Sequence, residues 1–235
     1  MPQKLRCRVT EIQAHGEQVY SLFLQPESPA PRFLPGQFLH LALDEYTPSD
    51  FWPESRTFSI ASAPAERQLL RITYAVKGNF TTRMEAELHA GSRVWVKMPY
   101  GEFIIPTGQD VCLLAGGTGV TAFTSYLAGL TLGTPQKIFF FYGARHPDLL
   151  IYKTLVQAAV QCCPGLHAYY FAETNFAGTD CRPGRIEAET VFESVPAPLS
   201  LTYYLAGPPG MIQSLIAGLH QHGLSPEKII ADAWE

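Results

Sequence analysis

The chain changes rhythm once, near residue 107, and that change limits its possible folds more than any other feature. Up to about residue 103, short β-like runs are broken by turns, over 7–12, 19–24, 37–43, 57–61, 69–76 and 93–98. Their spacing of roughly 10–20 residues is the rhythm of a small antiparallel β-barrel. One helical segment, 81–89, interrupts it, with Thr81 as the expected cap and Met84 and Leu88 four apart on one face. After a polar hinge over 106–109, strands predicted at 111–115, 137–142, 167–172 and 202–205 alternate with helices at 122–132, 149–162, 186–192 and 210–223. Such alternation requires an α/β domain, a parallel sheet with helices on both faces. The boundary is therefore expected between residues 106 and 107, giving domains over 1–106 and 107–235.

Composition narrows the classes of function. With 46% hydrophobic and 16% charged residues, the 235-residue chain can bury two small cores, which excludes intrinsic disorder. Seventeen basic against 21 acidic residues give a net charge of −4, the wrong sign for a domain that gains affinity by releasing phosphate counterions, so no nucleic-acid partner is expected. Five cysteines without any C-x-x-C spacing predict no disulfide framework, zinc site or iron–sulfur cluster. His220 and His222 fall two apart on a predicted helix, where side chains do not share a face, so no metal is expected. The N-terminal segment lacks an apolar core, and no run approaches the ~18 apolar residues of a spanning helix. A soluble cytoplasmic protein without a membrane span is the expectation.

Chemistry concentrates at a glycine loop. Gly116-Gly117-Thr118-Gly119-Val120-Thr121-Ala122 falls where a strand ends and a helix begins, and Gly117-x-Gly119-x-x-Ala122 fits the dinucleotide fingerprint in its G/A form. Glycines let the backbone approach a diphosphate, and a helix N-terminus offers it free N–H groups. A tight turn that binds nothing is the plain alternative. The ribose-binding acid expected about 20 residues further on is missing, because the second strand ends in Gly143-Ala144-Arg145. Arg145 suits a 2′-phosphate, whereas Glu173 at the end of the third strand would repel one; NADH is favoured over NADPH. The fourth strand runs into Gly207-Pro208-Pro209-Gly210-Met211, a second loop placed to approach the same dinucleotide, or a Pro-Pro turn that merely starts a helix.

In the first half the informative strings are Pro35-Gly36-Gln37-Phe38, Arg56-Thr57-Phe58-Ser59 and Gly78-Asn79-Phe80-Thr81-Thr82. Together they offer a cation, an aromatic face, hydroxyls and a helix N-terminus, which suit a planar heterocycle carrying a diphosphate. With PYGEF, GGTGVTA, YGAR and AGPPGM following in order, the chain resembles the ferredoxin–NADP reductase superfamily over nearly its whole length. Within it, the likeness is to the bacterial oxygenase-reductase and flavin-reductase branch, without a fused iron–sulfur domain. The resemblance implies a six-stranded FAD-binding barrel followed by a nicotinamide-nucleotide domain, with the active site at their junction. It implies that Arg56 binds the flavin pyrophosphate, Phe58 lies against the isoalloxazine and Ser59 bonds near flavin N5. Thr57 and Tyr74 would line the flavin site, and Gly78, Phe80, Thr81 and Thr82 would form the helix start that holds the diphosphate. Gly116 to Thr121, Arg145, Gly207, Pro208 and Met211 would border the nicotinamide dinucleotide.

Three departures stand out: Phe58 where the family usually has tyrosine, Ala206 where many members have cysteine, and Ala122 where many have proline. The ending Asp232-Ala233-Trp234-Glu235 is similar to the family's terminal acidic-x-aromatic segment, which implies that Trp234 stacks on the flavin with Asp232 near the hydride path. The implied reaction is hydride transfer from NADH or NADPH to FAD, then release of electrons to a separate acceptor such as a ferredoxin, an oxygenase component or a haem protein. A reductase of free flavin and a non-catalytic nucleotide-binding subunit are the alternatives. Lys77, Arg83, Arg93 and Lys97 are candidates for docking an acidic ferredoxin, or are scattered surface charge.

Overall fold

The computed structural model describes residues 1–232. The chain divides into two compact units, one holding Met1–Ile104 with Thr124–Gly129, the other Ile105–Phe123 and the described residues from 130 onward.

The first unit is built on β1 (Gln3–Ala14), β2 (Val19–Pro26), β3 (Phe38–Ala42), β4 (Ser55–Ser59), β5 (Leu70–Ala75), α1 (Asn79–Glu87) and β6 (Arg93–Tyr100). Its six strands run β4-β3-β6-β1-β2-β5, every neighbour antiparallel. The edges approach each other where the Ala61 N–H donates to the Arg71 carbonyl at 2.8 Å, so the sheet is a nearly closed barrel, as expected. Alternation fills it: Leu5, Cys7 and Val9 from β1, Leu39 and Leu41 from β3, and Val94, Val96 and Met98 from β6 share one buried cluster with Phe80 and Met84 of α1. Burial pushes the Cys7 thiol up to about 12, so this cysteine packs as a neutral apolar group.

Thr81 does not cap α1. The cap position belongs to Gly78, and Thr81 stands three residues in, its hydroxyl accepting from the N–H groups of Lys77 (2.9 Å) and Gly78 (3.2 Å). This is the reciprocal half of a capping box, in which the third helical residue satisfies donors ahead of the helix. Thr81→Val is expected to lower stability by about 1 kcal/mol; a urea midpoint equal to that of the unchanged chain would deny this role. Leu88 packs against the barrel core beside Met84, as their spacing requires.

The second unit comprises β7 (Val111–Gly116), the first turn of α2 (Thr121–Ala128), β8 (Ile138–Ala144), α3 (Lys153–Cys162), β9 (Leu166–Ala172), β10 (Arg182–Pro183), α4 (Ala188–Ser194), β11 (Thr202–Ala206), α5 (Pro209–Gln221) and β12 (Ile229–Ala231). Its sheet runs β10-β9-β8-β7-β11-β12, all parallel. Both faces are covered: Phe139 and Phe141 share a cluster with Val191 of α4 and Leu215 of α5, while Phe123 of α2 meets Phe140 edge-on at 6.0 Å. Every residue of the central strand β7 is buried for that reason. Sequence spacing overran α2, which stops at Ala128 ahead of Gly129, and placed the start of α3 too early, where a 3-10 turn at Pro147–Leu149 precedes it. The edge strands β10 and β12, of two and three residues, are too short to leave a period in the sequence.

Candidate functional site

In the parallel sheet the chain steps from β7 outward to β8 and β9, then returns to place β11 on the other side of β7. The carboxyl ends of β7 and β11 therefore flank the switch point, the place where open parallel sheets bind ligands. Both glycine loops stand there. β7 ends at Gly116, a 3-10 turn over Gly117–Val120 follows, and α2 begins at Thr121, whose hydroxyl donates to the Thr118 carbonyl at 2.8 Å. β11 ends at Ala206 and continues through Gly207 and Pro208 into α5.

The loops pack on each other at van der Waals distance. A Cβ added at Gly119 would lie 2.5 Å from the backbone of Ala206 and Gly207, and one added at Gly207 would lie 3.1 Å from the backbone of Gly116. A Cβ at Gly116 would strike the Met211 and Pro208 side chains. Gly119 and Gly207 are thus required by close backbone approach, and Gly207 also by its φ of +156°. Pro208 is exposed and Gly117 and Thr118 are half-buried, leaving the cradle's rim open. Asp232 follows β12 and donates its N–H to the Leu205 carbonyl at 2.8 Å, which sets it beside the end of β11. Trp234 lies outside the described residues.

Arg145 and Glu173 occupy adjacent strand ends, since Ala144 pairs with Ala172 and the Thr174 N–H donates to the Arg145 carbonyl at 2.8 Å. Glu173 is not a lone acid: Arg185 Nε meets its carboxylate at 2.9 Å. No periodicity signals that pair, which forms across a loop held by the two-residue strand β10.

In the barrel, Arg56, Thr57, Phe58 and Ser59 alternate along β4, with Phe58 opposite Leu39 and Ser59 opposite Phe38. Thr57 and Ser59 are half-buried and Arg56 is exposed, while Phe58 turns into the core and keeps 9% exposure. Phe58 meets Tyr74 edge-on at 6.1 Å. Tyr74 is buried, and burial, with Tyr20 and Glu85 nearby, pushes its phenol up to about 12, so it stays a neutral donor. Phe80 also points into the core, whereas Gly78 and Thr82 are exposed at the start of α1. A Cβ at Gly78 would meet nothing within 4 Å, so open space stands before the helix N-terminus. The remaining motifs buttress β4. Gly36, at φ +92°, passes against the Phe103 carbonyl, Gln37 Nε2 donates to the Gly101 carbonyl at 3.2 Å, and the Ile60 N–H donates to the Gln37 carbonyl at 3.0 Å. Among the described residues no cluster of His, Cys, Asp or Glu could hold a metal ion, and no helix is long and apolar enough to cross a membrane.

One unit is a parallel sheet with paired glycine loops at its switch point and the other an antiparallel barrel, which defines a two-domain fold. Residues 113–216 match the family described as oxidoreductase NAD-binding domain. The reductase component of propane 2-monooxygenase from Rhodococcus jostii (strain RHA1) is 30% identical over 246 residues, covering 98% of this chain and 63% of that protein. The chain thus spans less than two thirds of that relative's length. Among solved structures, the Amycolatopsis cytochrome P450 reductase GcoB superposes with a TM-score of 0.81 at 20% identity, over 99% of this chain and 70% of the other. A ferredoxin NADP+ reductase from Neisseria gonorrhoeae, solved with bound FAD and NADP, gives a TM-score of 0.77 at 18% identity, over 98% of both chains. The chain thus shares the two-domain fold of these solved reductases, and its second unit carries the match to an oxidoreductase NAD-binding domain.

Proposed function

We propose that this chain is a flavin-dependent oxidoreductase that takes a hydride from NADH or NADPH and passes electrons to an acceptor protein outside these 235 residues. The observation that carries the reading is the packing of the two glycine loops at the switch point, a cradle whose backbone fits a nucleotide diphosphate. Residues 1–106 serve as the FAD-binding domain and 107–235 as the nicotinamide-nucleotide domain. Gly116 to Gly119 and Thr121 hold the dinucleotide diphosphate at the start of α2, and Gly207, Pro208 and Met211 border its nicotinamide end. Arg56 pairs with the flavin diphosphate, which the N–H groups at Gly78 to Thr82 also receive. Thr57 and Ser59 donate hydroxyls to the flavin, and Phe58, Tyr74 and Phe80 keep β4 and α1 in place from the core side. Bound FAD supplies the chemistry that splits a two-electron hydride into one-electron transfers. The protein's part is to orient its ligands and to hold Asp232 beside the nicotinamide loop.

The name of the Rhodococcus relative, a reductase component, supports an acceptor on a separate protein. The test is a spectrum and an anaerobic titration. The purified chain is expected to keep yellow FAD through gel filtration and to bleach on addition of NADH. A colourless chain that reduces added flavin is a free-flavin reductase. A yellow chain that neither nicotinamide bleaches is a non-catalytic nucleotide-binding subunit, and the proposal fails.

Arg145 supplies a prediction about nucleotide choice. It is exposed at the end of β8, and Arg185 neutralises the neighbouring Glu173. Arg145→Ala is expected to lower kcat/KM for NADPH by about tenfold, the loss of one charge-assisted contact, and to leave NADH within about twofold. Equal losses for both nucleotides would remove Arg145 from the 2′-phosphate.

A further inference from the structure

Helix α1 carries its charges against its own field. Its first turn, Asn79 to Thr82, is uncharged, while Glu85 and Glu87 stand in its last turn. A carboxylate is favoured at a helix N-terminus and disfavoured at the C-terminus, where the free carbonyl groups are already negative. Both carboxylates are tied instead to specific partners. Arg83 Nε meets Glu87 at 3.0 Å, and the hydroxyl of Tyr20 on β2 donates to Glu85 at 2.7 Å, across 65 residues of sequence.

The tie to Glu85 ends on a stack that leads to β4. Tyr20 stands opposite Tyr74 in the register of β2 with β5, and their rings lie 5.6 Å apart at 31°. Tyr74 in turn meets Phe58 of β4 edge-on at 6.1 Å. Glu85, Tyr20, Tyr74 and Phe58 thus run as one line of contacts from α1 to β4. Those two elements carry the groups assigned to the flavin, Gly78 to Thr82 at the start of one and Arg56, Thr57 and Ser59 on the other. A separation of 2.7 Å suits a hydroxyl that donates to a carboxylate. The bond raises the Tyr20 phenol above its ordinary value, so the hydroxyl keeps its proton and remains the donor.

The other flank of the helix is braced as well. Arg83 and Glu85 stand about 200° apart around the axis, and Met84 between them is buried in the barrel core. Arg83, a docking candidate from sequence, is engaged by Asp44 at 2.9 Å, a bond that holds the Asp44 carboxyl below its usual range. That pair is exposed, and an exposed ion pair contributes little. Tyr20 and Glu85 are half-buried, where a hydrogen bond is stronger, so theirs is the firmer brace. Phe80 and Met84 set the depth of α1; Tyr20 and Glu85 set its direction.

We propose that Tyr20 and Glu85 are positioning residues for FAD: their hydrogen bond fixes α1 against Tyr74 and β4, and so sets the spacing between the groups that receive the diphosphate and those that receive the flavin ring. The inference rests on the flavin site of the reductase function proposed above. Neither residue touches the flavin; both act through the helix. Hydrogen bonds weaken steeply as their angle closes towards ~120°, so a small rotation of α1 turns its N–H groups away from a diphosphate already held by Arg56.

The experiment uses the full chain, loaded with FAD or freed of it, as wild type, Y20F, E85A, E85Q and Y20F/E85A. Flavin fluorescence titration is expected to give an FAD Kd about tenfold higher in Y20F and in E85A, with no further rise in the double variant, because both changes remove the same bond. E85Q keeps a carbonyl oxygen for the Tyr20 hydroxyl and is expected to stay within about threefold of wild type. The thermal midpoint of each flavin-free variant is expected to fall by no more than about 4 °C, so every chain is folded when titrated. At saturating FAD, the phosphorus NMR signals of the bound diphosphate are expected to shift in Y20F and E85A and to return in E85Q. A merely structural role moves the midpoint without moving these signals. Y20F and E85A chains that bind FAD as tightly as wild type overturn the proposal, and so do chains that bind it more weakly with the phosphorus signals unmoved. Losses that add in the double variant overturn it too, as does an E85Q chain no better than E85A, which would assign the effect to the charge of Glu85 rather than to the bond. All of these outcomes leave the bleaching of the wild type by NADH, and with it the reductase function, in place. A wild-type chain that binds no FAD removes the flavin site itself, and the role of the pair with it.

Discussion

Replacing Gly119 with valine is expected to lower kcat/KM for NADH at least about 100-fold while FAD stays bound. A Cβ at this position falls 2.5 Å from the backbone of Ala206 and Gly207. Those atoms belong to the end of β11, a buried strand paired along its length to β7, so they cannot swing aside as a flexible side chain would. The two loops must instead separate, at a cost of about 1–3 kcal/mol in packing. The diphosphate cradle opens with them, and about 2.7 kcal/mol of lost binding corresponds to a factor of 100. None of the residues assigned to the flavin lies on either loop, so flavin content serves as the internal control. Gly117→Ala provides a contrast, because its Cβ would meet nothing within 4 Å and only its φ of +53° resists substitution, at about 1 kcal/mol. Turnover by the valine variant within about threefold of wild type would mean that the loop contact plays no part in holding the nucleotide.

The features legible in the sequence were those with a local cause. Leu5, Cys7 and Val9 face the barrel core because strand side chains alternate, and that period is visible without any partner. β7 and β8 were legible as unbroken apolar runs because a parallel sheet is covered on both faces. β10 and β12, with two and three residues, are too short to show a period and exist only through their pairing to β9 and β11. The sequence points to Thr81 rather than Gly78 as the helix start because a hydroxyl reads equally well as a cap or as the returning arm of a capping box.

Each glycine loop announced itself, but their mutual contact did not. Gly119 and Gly207 are brought together only by the crossover that returns β11 to the side of β7. The same holds for charge. Glu173 read from sequence is an acid that repels a 2′-phosphate, whereas in the fold Arg185 meets it. Lys97 and Arg93 read as scattered cations, yet register sets them against Lys4 and Arg8. Residue type and local period are written along the chain; neighbours across a sheet are written only in the pairing.

Arg56→Glu is expected to release FAD, raising its Kd by about 100-fold or more, with little effect on the stability of the chain. Arg56 is exposed on β4, and the open space before the N-terminus of α1 at Gly78 belongs to the same unit. A guanidinium matches two phosphate oxygens at once, and a charge-assisted bond of this kind contributes about 1.5–3 kcal/mol. Reversal removes that contribution and adds repulsion, so a total of about 3–4 kcal/mol corresponds to a factor of about 100 to 1,000 in Kd. Exposed positions without a packing role usually change stability by no more than about 0.5 kcal/mol, so the thermal midpoint of the flavin-free chain should stay where it was. Arg56→Lys keeps the charge and loses the planar fork, and an intermediate loss of about tenfold is expected. The graded order of wild type, lysine and glutamate separates recognition of a diphosphate from damage to the barrel, which would weaken both variants alike. Flavin retained at full occupancy through gel filtration by the glutamate variant would show that the diphosphate is held elsewhere, and would remove β4 from the flavin site.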